Sequence, residues 1–167
     1  TNTVFGIVDA RGVVLASSSI KTRKNPTIEG YLDELHTELT KLLEANDAVG
    51  KIHGIGIGAP NANYYTGTIE SGVNLPWPTP IPLAKLVSDK FGIPVSITND
   101  ANAAAIGEMT YGAARGLKDF IMITLGTGVG SGIVINGQLV YGHDGFAGEL
   151  GHIIAVSYTH LTLPTNR

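Results

Sequence analysis

Three short runs in this sequence combine residue types that could do chemistry. The first is Thr98-Asn99-Asp100, which closes a strand-like segment, Pro94 to Thr98, and opens a helical one from Ala101. In open α/β sheets ligands gather at the carboxyl ends of strands, and a carboxylate at a helix N-terminus is held ionised by the helix dipole. Asp100 is therefore placed to accept a proton, although a plain helix-capping role explains the same residue. The second run is Leu125-Gly126-Thr127-Gly128-Val129-Gly130-Ser131-Gly132. Glycine at alternate positions lets backbone N–H groups come close to a phosphate, with the Thr127 hydroxyl as a further donor. It fits neither the dinucleotide fingerprint, which needs a third glycine where Ser131 or Ile133 stands, nor the P-loop, which needs Gly-Lys-Ser/Thr. A tight hairpin that needs glycine for backbone reasons alone stays open as the alternative. The third run is Gly148-Glu149-Leu150-Gly151-His152, where Glu149 and His152 stand three apart and share a face on a helical turn. Such a pair can be half of a metal site, polar walls for a sugar's hydroxyls, or a surface pair.

The elements that would position these runs alternate. Thr3 to Val8 and Val13 to Ile20 read as a hairpin across Asp9-Ala10-Arg11-Gly12. Thr27 is placed to cap a helix whose apolar residues Ile28, Tyr31, Leu32, Leu35, Leu39, Leu42 and Leu43 recur at three- and four-residue steps. A strand from Ile52 to Ile57, a long polar loop through Asn74 to Pro80, a helix from Pro82 to Phe91, the strand ending at Thr98 and a helix from Ala101 to Tyr111 follow. After Gly112-Ala113-Ala114-Arg115-Gly116, where a subdomain boundary is expected, Phe120 to Leu125 reads as a buried strand. Ile133 to Ile135 should pair with Gln138 to Tyr141 across Asn136-Gly137. His143 and Asp144 read as turn residues, His36 as a solvated helix position and His53 as a strand-entry residue.

Composition narrows the function. At 167 residues, 43% hydrophobic and 15% charged, the chain can bury a core, and no apolar run reaches the roughly 20 residues that span a bilayer. A net charge of -3 gives no positive field for a phosphate backbone, so a small substrate is expected rather than nucleic acid or a membrane. The chain has no cysteine, which removes disulfides and thiolate metal ligands and fits a reducing cytosol; a cytoplasmic location is expected.

Together these runs resemble the ROK family of repressors, open reading frames and kinases, most closely its glucokinase branch. The resemblance covers Thr1 to about Val156 and is most specific in Thr98 to Glu108, Leu125 to Gly132 and Gly148 to His152. It implies an actin-like ATPase (ribonuclease H-like) α/β fold, with residues 1–115 as the N-terminal subdomain, 116–156 as the start of the C-terminal subdomain, and 157–167 as a non-native tail. It further implies phosphorylation of glucose or a close hexose at the 6-hydroxyl by MgATP. Asp100 would be the base, Asn74, Asn99, Glu149 and His152 would hydrogen-bond the sugar, and Thr1, Thr127 and Gly128 would lie on ATP. The family's repressors offer the alternative of a sugar-responsive transcriptional regulator.

The departures shape the remaining expectations. The family's first phosphate loop is an Asp-x-Gly-Gly-Thr run ending the first strand, and here only its threonine remains, as Thr1. A preceding segment is expected, and this chain by itself is expected to be inactive. In the family the histidine matching His152 joins a cysteine-rich run in a structural zinc site. With no cysteine, that site is expected to stay incomplete. A homo-oligomer is expected of the intact protein.

Overall fold

The structure, a computed structural model, describes residues 2–72, 75–126 and 128–152. Of the residues singled out above, Thr1, Asn74 and Thr127 lie outside these segments, as does the tail from residue 157.

The opening hairpin forms as the pattern requires: β1 (Asn2–Val8) pairs antiparallel with β2 (Val14–Lys21). Its turn is fixed by Asp9, whose Oδ1 accepts from the Arg11 and Val13 N–H groups at 2.9 and 3.0 Å. The Val13 N–H first, and then the Arg11 guanidinium, hold the Asp9 carboxyl below its ordinary range. Thr27 caps α1 (Ile28–Ala45) by accepting from the Gly30 N–H at 3.2 Å. The helix buries Tyr31 and Leu32. His36, expected to be solvated, instead lays its ring 4.9 Å from that of Phe91, because α1 packs against the next long helix.

A strand begins three residues later than the sequence suggested: β3 (Ile55–Gly58) lies parallel to β6 (Val95–Thr98), with Gly58 opposite Thr98. The long polar loop contains a small hairpin that its composition hides, β4 (Ala62–Asn63) with β5 (Thr68–Ile69). Next come α2 (Leu83–Phe91), whose C-terminus ends on a left-handed Gly92, and α3 (Asp100–Tyr111). The core between the helices and strands is built on Ile20, Leu32, Trp77, Val87 and Ile97, and the Trp77 indole N–H satisfies itself on the Asn25 carbonyl at 3.1 Å.

Beyond residue 116 a three-stranded sheet forms in the order β7 (Phe120–Leu125), β8 (Val129–Ile135), β9 (Gln138–Leu139), all antiparallel. Asn136 and Gly137 both take positive φ, 54° and 74°, as a tight turn between β8 and β9 demands. A 3-10 turn, Leu150–His152, ends the described chain. Among the described residues no helix is long and apolar enough to cross a membrane.

Among the described residues β1 pairs only with β2, and β3 only with β6. Between the two pairs runs a groove of about 300 Å³ walled by Thr3, Val4, Ile57, Gly58 and Trp77.

Candidate active site

The strand β6 delivers Asn99 and Asp100 to the rim of the parallel pair, and α3 begins there. Asn99, not Asp100, is the capping residue: its Oδ1 accepts from the Ala101 N–H at 2.8 Å. The helix accordingly starts at Asp100, one residue earlier than expected. Asp100 Oδ1 also accepts from that N–H, at 2.9 Å. The cap is thus supplied by a neighbour, which removes helix capping as a sufficient reason for an aspartate here. Two carboxylate lone-pair sites on Oδ2 stay available to a ligand.

Opposite Asp100 stands the glycine run, and its four glycines divide into two pairs with different physical reasons. Gly126 and Gly128 join β7 to β8, with the Gly126 N–H donating to the Gly128 carbonyl at 3.0 Å. A Cβ added at either would meet nothing within 4 Å, so both face open space. Gly130 and Gly132 lie inside β8 rather than in the turn. A Cβ at Gly132 would stand 2.6 Å from Ala105 Cβ, and one at Gly130 would stand 3.0 Å from Ala101 Cβ. Those two glycines let α3 lie against β8, with Ala101 and Ala105 buried at the contact. The expected phosphate loop is therefore half turn and half packing surface.

The two sets of residues face each other across one cleft of about 520 Å³. Pro60, Asn61, Asn99, Asp100, Thr124, Gly126, Gly128 and Glu149 are among its walls. The Asn99 amide donates to Glu149 Oε1 at 3.3 Å, joining the end of β6 to the turn that follows the β7–β9 sheet. Glu149 and His152 do share a face, with Oε2 and Nε2 3.8 Å apart. His152 stays largely exposed, its side chain 84% accessible, and it is not among the residues walling the cleft. Asp100, Asn99, Glu149 and Gly128 thus come together as the sequence suggested, while His152 reaches the site only through Glu149.

A structural zinc does not fit this arrangement. His152 has one carboxylate beside it, the chain supplies no thiolate, and the described residues hold no group of three or more His, Cys, Asp or Glu side chains suited to a metal.

Pro60, Asn61 and Thr124 line the cleft without having been singled out from the sequence. Asn61 holds a positive φ of 55° and donates its amide to the Ser71 carbonyl at 2.9 Å. The Ala-Pro-Asn-Ala run that follows β3 at a strand end was the available signal.

The chain is similar to several known proteins. Over 104 residues the chain is 48% identical to a glucokinase of Halalkalibacterium halodurans, covering 62% of this chain and 31% of that one. It is 39% identical over 127 residues to a putative xylose repressor of a Caldicellulosiruptor species, covering 75% of this chain and 32% of that protein. Its fold matches the crystal structure of a ROK family glucokinase from Streptomyces griseus in complex with glucose and AMPPNP, with a TM-score of 0.78 and 38% identity over 93% of this chain and 48% of that one. The chain spans between 31% and 46% of the length of two glucokinases it matches. The α/β arrangement is that of part of the actin-like ATPase fold seen in these neighbours. Since the ROK family model also matches residues 1–163, the chain belongs to the ROK family.

Proposed function

We propose that this chain is part of a glucokinase-type hexose kinase that transfers the γ-phosphoryl group of MgATP to the 6-hydroxyl of glucose or a close hexose. The observation that carries the reading is the shared cleft. A carboxylate not needed as a cap, Asp100, faces the open backbone at Gly126 and Gly128, with Asn99 and Glu149 joined at its side. The similarity to glucokinases, and to a structure holding glucose and AMPPNP, supports it.

In this reading Asp100 takes the proton of the sugar hydroxyl as its oxygen bonds to the γ-phosphorus. The bond from that phosphorus to the β,γ-bridging oxygen breaks, and ADP leaves. Such a transition state is loose, so positioning and charge neutralisation carry most of the catalysis and one carboxylate is enough as base. Asn99 and Glu149 hold sugar hydroxyls, with Asn74 as a further sugar contact and His152 acting through Glu149 rather than on the sugar directly. Gly128, Thr127 and Thr1 approach the nucleotide, whose magnesium enters as part of the substrate. We also propose that the intact protein is a homo-oligomer.

A second reading, a sugar-responsive regulator, draws on the similarity to xylose repressors. A coupled assay with glucose and MgATP separates the two. The full-length protein is expected to turn over, and residues 1–167 alone to retain less than about one hundredth of that rate, because losing even one oxyanion donor costs roughly a hundredfold. Robust turnover by the short chain would overturn its expected inactivity. A full-length protein that binds hexose without consuming ATP would favour the regulator.

A further inference from the structure

Glu149 reaches the cleft from a segment that would otherwise have little to hold it: residues 140–149 leave the short strand β9 and contain no regular element. Contacts on two sides hold that segment. The Ser131 hydroxyl on β8 bonds the Gly148 carbonyl. The other side is the β4–β5 hairpin. Asn63, at the end of β4, donates its Nδ2 to the Asp144 carbonyl at 2.8 Å, while its Oδ1 accepts from the Tyr65 N–H at 2.9 Å. Asn63 is buried, 4% accessible. Its carboxamide therefore uses one end to shape its own hairpin and the other to grip a backbone 81 residues away.

The fit is close from both sides. Gly145 sits at φ +85°, and a Cβ there would lie 2.6 Å from Asn63 Oδ1. The neighbouring rings extend the same contact: Tyr64 stacks on Tyr141 with centroids 4.4 Å apart at 11°, and the Tyr65 hydroxyl donates to the Gly142 carbonyl at 3.0 Å. Burial pushes the Tyr141 phenol above the usual tyrosine range, consistent with a ring partly withdrawn from water.

We infer that Asn63 is a positioning residue, which through the Asp144 carbonyl and Gly145 holds the 142–148 segment so that Glu149 meets Asn99 at the cleft. This goes beyond the kinase reading and rests on it only for the substrate named in the assay. The β4–β5 hairpin thereby ties the two halves of the site together, and Asn63 touches no substrate.

Asn63→Asp is the informative change. It keeps the oxygen that accepts from Tyr65 N–H, preserving the hairpin, and replaces the donor to Asp144 by an oxygen that repels that carbonyl. In the full-length protein KM for glucose is expected to rise roughly tenfold, as loss of one buried hydrogen bond implies, with KM for MgATP within about twofold. In a Glu149→Gln background the same change should add less than about twofold, because partners acting through one group are not additive. Gly145→Ala, with Asn63 intact, should reproduce the rise from the other face. Hydrogen exchange supplies a readout independent of activity: amides of Gly145 to His152 should exchange at least about tenfold faster in Asn63→Asp, with β1 and β2 unchanged. Unchanged exchange in that segment, or a KM effect that adds fully to that of Glu149→Gln, would overturn the inference. A wild-type protein that phosphorylates no hexose while the exchange difference persists would remove the kinase reading and leave the positioning role standing.

Discussion

Replacing Asp100 by asparagine in the full-length protein is expected to lower kcat by roughly 10²- to 10⁴-fold, the span attributed to a positioned general base. The geometry makes this change unusually clean. Asn99 already caps α3, and an asparagine at 100 keeps an oxygen able to accept from the Ala101 N–H as Asp100 Oδ1 does at 2.9 Å. Stability should therefore move by less than about 0.5 kcal/mol, as for substitutions that remove no cap and open no cavity. Hexose affinity, measured by titration, should stay within about threefold, since the sugar's other contacts are untouched. A variant that keeps wild-type turnover would show that Asp100 is not the base. One that loses turnover together with its thermal transition would show that the residue is structural after all.

The second large effect concerns Gly132→Ala. The added methyl would lie 2.6 Å from Ala105 Cβ and 3.1 Å from the Ala101 carbonyl oxygen, inside a contact where Ala105 is fully buried. Neither α3 nor β8 can yield locally, because β8 is paired on both edges, to β7 and to β9. Overpacking of this kind costs about 1–3 kcal/mol. Since α3 begins at Asp100, pushing the helix away also displaces Asp100 from the glycine turn, so kcat should fall with stability. Gly128→Ala is the matching control. It has nothing within 4 Å of the added Cβ, so its stability should shift by less than about 0.5 kcal/mol while KM for MgATP rises. Denaturant unfolding together with steady-state kinetics checks both. If Gly132→Ala is as stable as the parent, helix and sheet are not in the close contact described.

Much of the fold was legible where the determining interactions are local. Thr27 caps α1, Asn136-Gly137 turns β8 into β9, and Phe120–Leu125 forms a strand, although not the buried one expected: Ile121, Ile123 and Leu125 are exposed on one face. The parallel pairing of β3 with β6 follows from the alternating pattern, and Asp100, Asn99 and Glu149 wall one cleft at its carboxyl end. What escaped depends on contacts far apart in the chain. The β4–β5 hairpin is only two residues on each side and shows no alternation. The capping duty fell to Asn99 because both neighbours carry a side-chain oxygen, and only the backbone entering the helix decides between them. The division of the glycine run required knowing that Ala101 and Ala105, four apart on α3, would lie over Gly130 and Gly132, two apart on β8. Small residues matched in this way are visible once both elements are paired, not before. Asn63 is the clearest case, since its partner carbonyl is 81 residues away and backbone acceptors carry no sequence signature.

The central claim is that the cleft between Asp100 and the Gly126–Gly128 turn moves a phosphoryl group onto a sugar hydroxyl. Phosphorus NMR of the full-length protein with MgATP and glucose tests it most directly, with 6-deoxyglucose in a parallel sample. One ADP and one sugar 6-phosphate should appear together with glucose, and neither with the deoxy sugar. Release of inorganic phosphate at the same rate with or without glucose, or no ATP consumption while glucose is bound, would contradict it.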